Sequence, residues 1–100
     1  MALEKLKEDY FRYRAGVAII KALGENSNLT KRKLWGEALN SVEKFGIGRG
    51  RINDAISKLE DDEIKVTRKS GKDGHLYSLT QKGHEMYEEL KSKQFIILEN

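Results

Sequence analysis

The chain contains no cysteine and no proline, two histidines and one tryptophan in its 100 residues. Without cysteine, neither a disulfide nor a thiolate metal site can form, and His75 and His84 are too few nitrogen ligands for structural zinc. No metal and no cofactor are therefore expected. No apolar run approaches the ~18 residues of a membrane span, and the opening MALEKLKEDY lacks the basic start and apolar centre of a signal peptide, so a cytoplasmic location is expected. No carboxylate pair, Ser/His/Asp set or nucleophilic cysteine stands in the context of an active site, which argues against an enzyme.

What is present is enough for one compact core, with 38% hydrophobic residues, and an uneven distribution of charge. The net charge is only +3, but Asp61, Asp62 and Glu63 form an acidic cluster and residues 65–79 carry +3. Positive charge is gathered in patches.

Hydrophobic spacing predicts the order helix, helix, helix, hairpin, helix. Leu3, Leu6, Tyr10, Tyr13, Val17 and Ile20 are spaced 3, 4, 3, 4, 3, a heptad-like stripe on one long helix ending at Gly24. Thr30 is a good N-cap for a second helix, with Leu29 positioned to staple onto Leu34. Leu34, Trp35, Ala38, Leu39, Val42 and Phe45 share a face of that helix, and Trp35 reads as core. Ile52, Ala55, Ile56 and Leu59 then predict a third helix from about Arg49 to Asp61. Ile64 and Val66 alternate, as do Tyr77 and Leu79, on either side of a basic, glycine-bearing tip, the pattern of a two-stranded β-hairpin. Leu79-Thr80 repeats the cap before a last helix from about Gln81, with Met86, Tyr87, Leu90 and Ile97 along one side.

The stretch Gly46-Ile47-Gly48-Arg49-Gly50-Arg51 does not fit a dinucleotide-binding loop, because it follows a helix and lacks the final glycine. It fits a turn and a helix start, with Gly46 as a left-handed stop and Gly48 as N-cap. Gly50 weakens the first turn of the third helix by up to ~1 kcal/mol relative to alanine.

Three helices followed by a basic hairpin, the text F-G-I-G-R-G-R-I-N-D-A-I-S-K-L-E from Phe45, and Tyr77-Ser78-Leu79-Thr80-Gln81-Lys82-Gly83 after the hairpin resemble PadR-like and, more loosely, MarR-like transcriptional regulators. The resemblance covers about 70 residues. It implies an α+β, mostly α, winged helix-turn-helix fold: three helices, a two-stranded wing and a C-terminal helix, as one domain over residues 1–100. Residues 1–14 and 84–100 would be dimerisation extensions. Two positions depart from the pattern: Glu63 replaces the glycine that usually ends the recognition helix, and Asn53 replaces an aromatic residue.

The resemblance further implies a sequence-specific, dimeric regulator of double-stranded DNA, associated with the nucleoid, with helix 49–61 in the major groove and wing 67–75 on flanking DNA. Arg49 and Arg51 could fork onto guanine and Asn53 could pair with adenine, while Asp54 would either read cytosine or orient an arginine. Lys31, Arg32, Lys33, Gly50, Ser57 and Lys58 would meet phosphates, and Arg68, Lys69, Lys72 and His75 would form the wing contact. Leu3, Leu6, Tyr10, Tyr13, Tyr87, Leu90 and Ile97 would form the homodimer interface, placing two recognition helices on a palindromic site. Two alternatives share the scaffold. One is a plasmid or viral segregation, replication-terminator or architectural protein that spreads along DNA; the other is a protein-interaction module docking through the tail FIIL.

Overall fold

A computed structural model describes residues 2–68 and 74–99. Four helices of 11 to 16 residues, preceded by a single helical turn, pack with a small antiparallel sheet into an α+β, mostly helical fold. Among the described residues, no helix is long and apolar enough to cross a membrane.

The first apolar stripe is not one helix. A turn, α1 (Ala2–Lys5), runs through a 3-10 segment at Leu6–Glu8 to Asp9, and only there does α2 (Tyr10–Glu25) begin. Asp9 is extended, at φ −118° and ψ 104°, and its Oδ1 accepts from the backbone N–H groups of Phe11 and Arg12. A carboxylate satisfying the first free donors of a helix makes a start there more stable than continuation. The preceding turn folds back, so Leu3 and Leu6 lie buried in their own chain. Gly16 makes room for them: a Cβ there would stand 2.8 Å from Leu3 Cδ1 and 3.1 Å from Leu6 Cδ1.

From Ala15 to Ile20 every residue of α2 is buried, as expected of a helix apolar on all sides. It is the central post, packed by the remaining helices. It also runs one residue beyond Gly24, where a Cβ would overlap the Tyr87 ring at 2.1 Å. Gly24 is thus a contact site for Tyr87 rather than the helix stop; Asn26 caps the end, its Nδ2 donating to Ala22 O at 3.0 Å.

The hairpin is part of a three-stranded sheet, not a two-stranded one. Leu29–Thr30 forms β1, Ile64–Arg68 forms β2 and His75–Leu79 forms β3, in the order β1-β3-β2. β3 is central, with Leu29 opposite Tyr77 and Ile64 opposite Leu79. The edge strand β1 leads directly into α3 (Lys31–Val42), capped by Thr30 Oγ1, which accepts from Lys33 N at 3.3 Å.

After α3, a 3-10 turn ends at Gly46 in the left-handed region, at φ 78°, and Gly48 caps α4 (Arg49–Leu59). Ile52, Ala55, Ile56 and Leu59 are its buried face. α4 stops two residues before the expected Asp61, and Asp61 itself takes the left-handed conformation, at φ 66°. Glu63, two positions later, is fully buried, its Oε2 accepting from Leu3 N at 2.7 Å. The turn is made without glycine because Asp61, among the residues that tolerate this conformation best, occupies the left-handed position.

α5 (Gln81–Ser92) starts at Thr80, whose Oγ1 accepts from Gly83 N at 3.1 Å and donates to Asp62 O at 2.5 Å. Beyond it the chain turns sharply: Gln94 and Phe95 are both left-handed, and Ile96–Leu98 forms a 3-10 turn. Ile97 therefore lies off the helix that was to carry it. Phe95 and Leu98 are buried, while Ile96 stays 71% exposed.

Candidate nucleic-acid interface

The interface expected from sequence divides into a cationic part and a part already engaged within the chain. Lys31, Arg32 and Lys33 are exposed in the first turn of α3, and Arg49, Gly50 and Arg51 in the first turn of α4; Ser57 and Lys58 are exposed near the end of α4. None of the six cations in this set has a carboxylate partner among the described residues. Cations at helix N-termini oppose the helix dipole, so the fold itself gains little from five of them.

Trp35 joins the two turns. It is half-buried on α3, and its Nε1 donates to Asn53 Oδ1 on α4 at 2.7 Å. Arg49 Cζ stands 5.4 Å from the ring centroid and Lys31 Nζ 5.5 Å, within range of the attraction between a cation and an aromatic face. One indole therefore organises a residue assigned to phosphate and two assigned to bases. Sequence reasoning placed Trp35 in the core; its N–H, which needs a partner when partly buried, was the signal that it could reach a polar neighbour.

Asp54 is exposed, but its Oδ2 accepts from Arg12 Nε at 3.3 Å and Nη2 at 3.0 Å. Of the two roles expected for it, the geometry fits pairing with an arginine, and that arginine is Arg12 of α2. Arg12 also pairs with Asp9 through Nη1. The Arg12 backbone N–H and then its guanidinium hold Asp9 below the usual carboxylate range, while Asp54 first and Asp9 second raise the pKa of Arg12. Arg12 thus neutralises one of the two carboxylates and shares itself with the other. Nothing in its local sequence marked it, since Asp54 is 42 positions away.

Aromatic side chains of α2 and of the turn after α3 brace further arginines. Arg51 Cζ lies 4.8 Å from the Phe11 ring centroid. Arg14 lies between Tyr10 and Phe45, at 4.2 and 3.9 Å.

In the hairpin, Arg68 and His75 are paired across the ladder and His75 is exposed, whereas Lys69 and Lys72 lie outside the described residues. The residues expected to form a dimer interface fare unevenly. Leu3, Leu6 and Leu90 are buried within the chain, Tyr87 packs on Gly24 and stands 5.6 Å from the Phe95 ring, and Tyr13 and Ile97 are half-buried. Tyr10 alone of the set is well exposed, at 53%. The heptad spacing is satisfied inside one chain because α1 folds back over Gly16.

Comparisons with protein-family models, with curated proteins and with solved structures find no match to this chain.

Proposed function

We propose that this protein is a sequence-specific double-stranded DNA-binding protein of the winged helix-turn-helix type, acting as a transcriptional regulator. In this reading α3 and α4 are the helix-turn-helix, α4 enters the major groove, and the β2–β3 hairpin is the wing. The observation that carries it is the juxtaposition, around Trp35, of two exposed cationic helix starts that have no carboxylate partner among the described residues. Helix N-termini with free N–H groups and added cations suit phosphate oxygens, and a major groove admits one helix whose first residues reach base edges. Pairing Asp54 with Arg12 lessens the repulsion that a lone carboxylate on α4 would exert on DNA.

The proposal extends to a homodimer on a palindromic site, with recognition helices about 34 Å apart, associated with the nucleoid. Its two-fold contact would draw on Tyr10 and Ile96, two of the three exposed large apolar groups among the described residues, rather than on Leu3, Leu6 and Leu90. Sedimentation tests this part: a strict monomer at high concentration would remove the palindrome.

The test of DNA binding is the affinity for random duplex measured by fluorescence anisotropy across salt concentrations. Release of condensed counterions should make affinity fall steeply, by roughly a thousandfold or more between 50 and 200 mM salt for six or more phosphate contacts. Absence of duplex binding at low salt would overturn the proposal.

A further inference from the structure

We infer that Asn53 reads a keto base, guanine above all, in preference to adenine, because Trp35 turns the oxygen of its amide toward α3. This rests on the DNA-binding reading above and specifies its chemistry at one position.

An indole N–H can only donate, so the atom of Asn53 that meets it must be the carbonyl oxygen; the 2.7 Å contact from Trp35 Nε1 to Asn53 Oδ1 has that sense. The bond fixes the orientation of the amide. The indole is itself held on α3, with Arg49 and Lys31 against its ring, so Asn53 is set by a group that is not free to follow it. Pairing with adenine requires the amide oxygen and amine side by side, one accepting from N6 and the other donating to N7. With the oxygen turned to Trp35, the amine remains as the reading group.

A donor-only group discriminates by repulsion as well as attraction. Guanine presents two acceptors in the major groove, O6 and N7, and thymine presents O4, whereas adenine presents a single acceptor, N7, beside its N6 amine, and cytosine presents an amine alone. An amine facing the exocyclic amine leaves both without an acceptor, which a buried interface penalises, and adenine's N7 offers one acceptor where guanine offers two. Asn53 lies one helical turn from Arg49 and one from Ser57, both exposed, so it stands in line with the other candidate contacts of α4.

The experiment is selection of bound duplexes from a random pool, run in parallel on four proteins. Wild type should enrich guanine at a position whose preference Asn53→Ala abolishes, which identifies the position read by Asn53. Trp35→Phe keeps an aromatic ring but removes the N–H, freeing the amide, so adenine should gain at that position by roughly tenfold relative to guanine. Asn53→Asp keeps an acceptor for the indole and replaces the amine with an oxygen; the same position should turn to cytosine or adenine, and this variant serves where Trp35→Phe does not fold. Slow hydrogen exchange of the Trp35 indole N–H by NMR, accelerated in Asn53→Ala, reads the lock without DNA.

Adenine at the Asn53-dependent position in wild type would overturn the inference while leaving DNA binding intact. So would a guanine preference unchanged in Asn53→Asp. Failure of wild type to bind any duplex at low salt removes the DNA-binding reading and this inference together, a result distinct from either.

Discussion

The chain uses one local device twice, at Leu29-Thr30 before α3 and at Leu79-Thr80 before α5, and the two helix starts have opposite surroundings. Thr30 ends β1 and Thr80 follows β3, and each accepts from the N–H three residues on. At α5 the third residue is Gly83, buried with no space for a side chain: a Cβ would stand 2.0 Å from Glu63 O. The Thr80 hydroxyl also donates to Asp62 O, and the Thr80 N–H donates to Glu63 O at 3.0 Å. At α3 the third residue is Lys33, exposed, next to Lys31 and Arg32. The same cap therefore fastens one helix to the turn after α4 and leaves the other presenting charge. What differs is not the cap but the residues that follow it.

That contrast can be broken most severely at Gly83. Gly83→Ala drives a methyl group into a backbone carbonyl and is expected to lower stability by about 3 kcal/mol, as overpacking does where the neighbour cannot yield. Urea unfolding measures it, and a loss below about 1 kcal/mol would mean that the α5 start can shift. Next in size, Thr80→Ala should cost about 2 kcal/mol and Thr30→Ala about 1, since only Thr80 loses a second hydrogen bond with its cap. Equal losses would dissolve the distinction between the two starts.

Replacing Lys31, Arg32 and Lys33 together by alanine should leave the fold as stable or a few tenths of a kcal/mol more stable, because cations there oppose the helix dipole. Binding to all duplexes should weaken, and the slope of log affinity against log salt should shrink by about one for each phosphate contact removed. A loss confined to one sequence would assign these residues to bases instead. The smallest change is Gly50→Ala, where nothing stands within 4 Å of an added Cβ. Folding should gain up to ~1 kcal/mol, while affinity for DNA should fall if the backbone approaches it closely. An unchanged affinity would leave Gly50 without a role in binding.

Element starts were largely legible in the sequence because short-range chemistry makes them. Thr30, Gly48 and Thr80 each precede the helix they cap, and Gly46 is the left-handed stop its composition suggested. The break at Asp9 was equally local, an aspartate before an apolar run, but the heptad spacing continues across it and hid it. β1 was missed because two residues are too short for alternation to register, and a leucine before a threonine reads equally well as a staple. The cationic half of the candidate site was legible from charge and helix phase. Its organisation was not: Trp35 meets Asn53 across 18 positions and Arg12 meets Asp54 across 42, contacts that only the packing of α2, α3 and α4 creates. Hydrophobic periodicity says which face turns inward; it does not say which polar groups along the seam will find each other.

The hydrogen bond from Leu3 N to the buried Glu63 side chain also has a kinetic meaning. It joins residues 60 positions apart, so ordering that loop before the rest of the chain would cost much entropy and return a single contact. The docking of α1 should follow the assembly of α2, α4 and the sheet. A contact made after the folding barrier slows unfolding with little effect on folding. Glu63→Gln, which weakens the acceptor, should then steepen escape from the native state while the refolding rate stays near that of wild type, making the first turn of the chain a brake on unfolding.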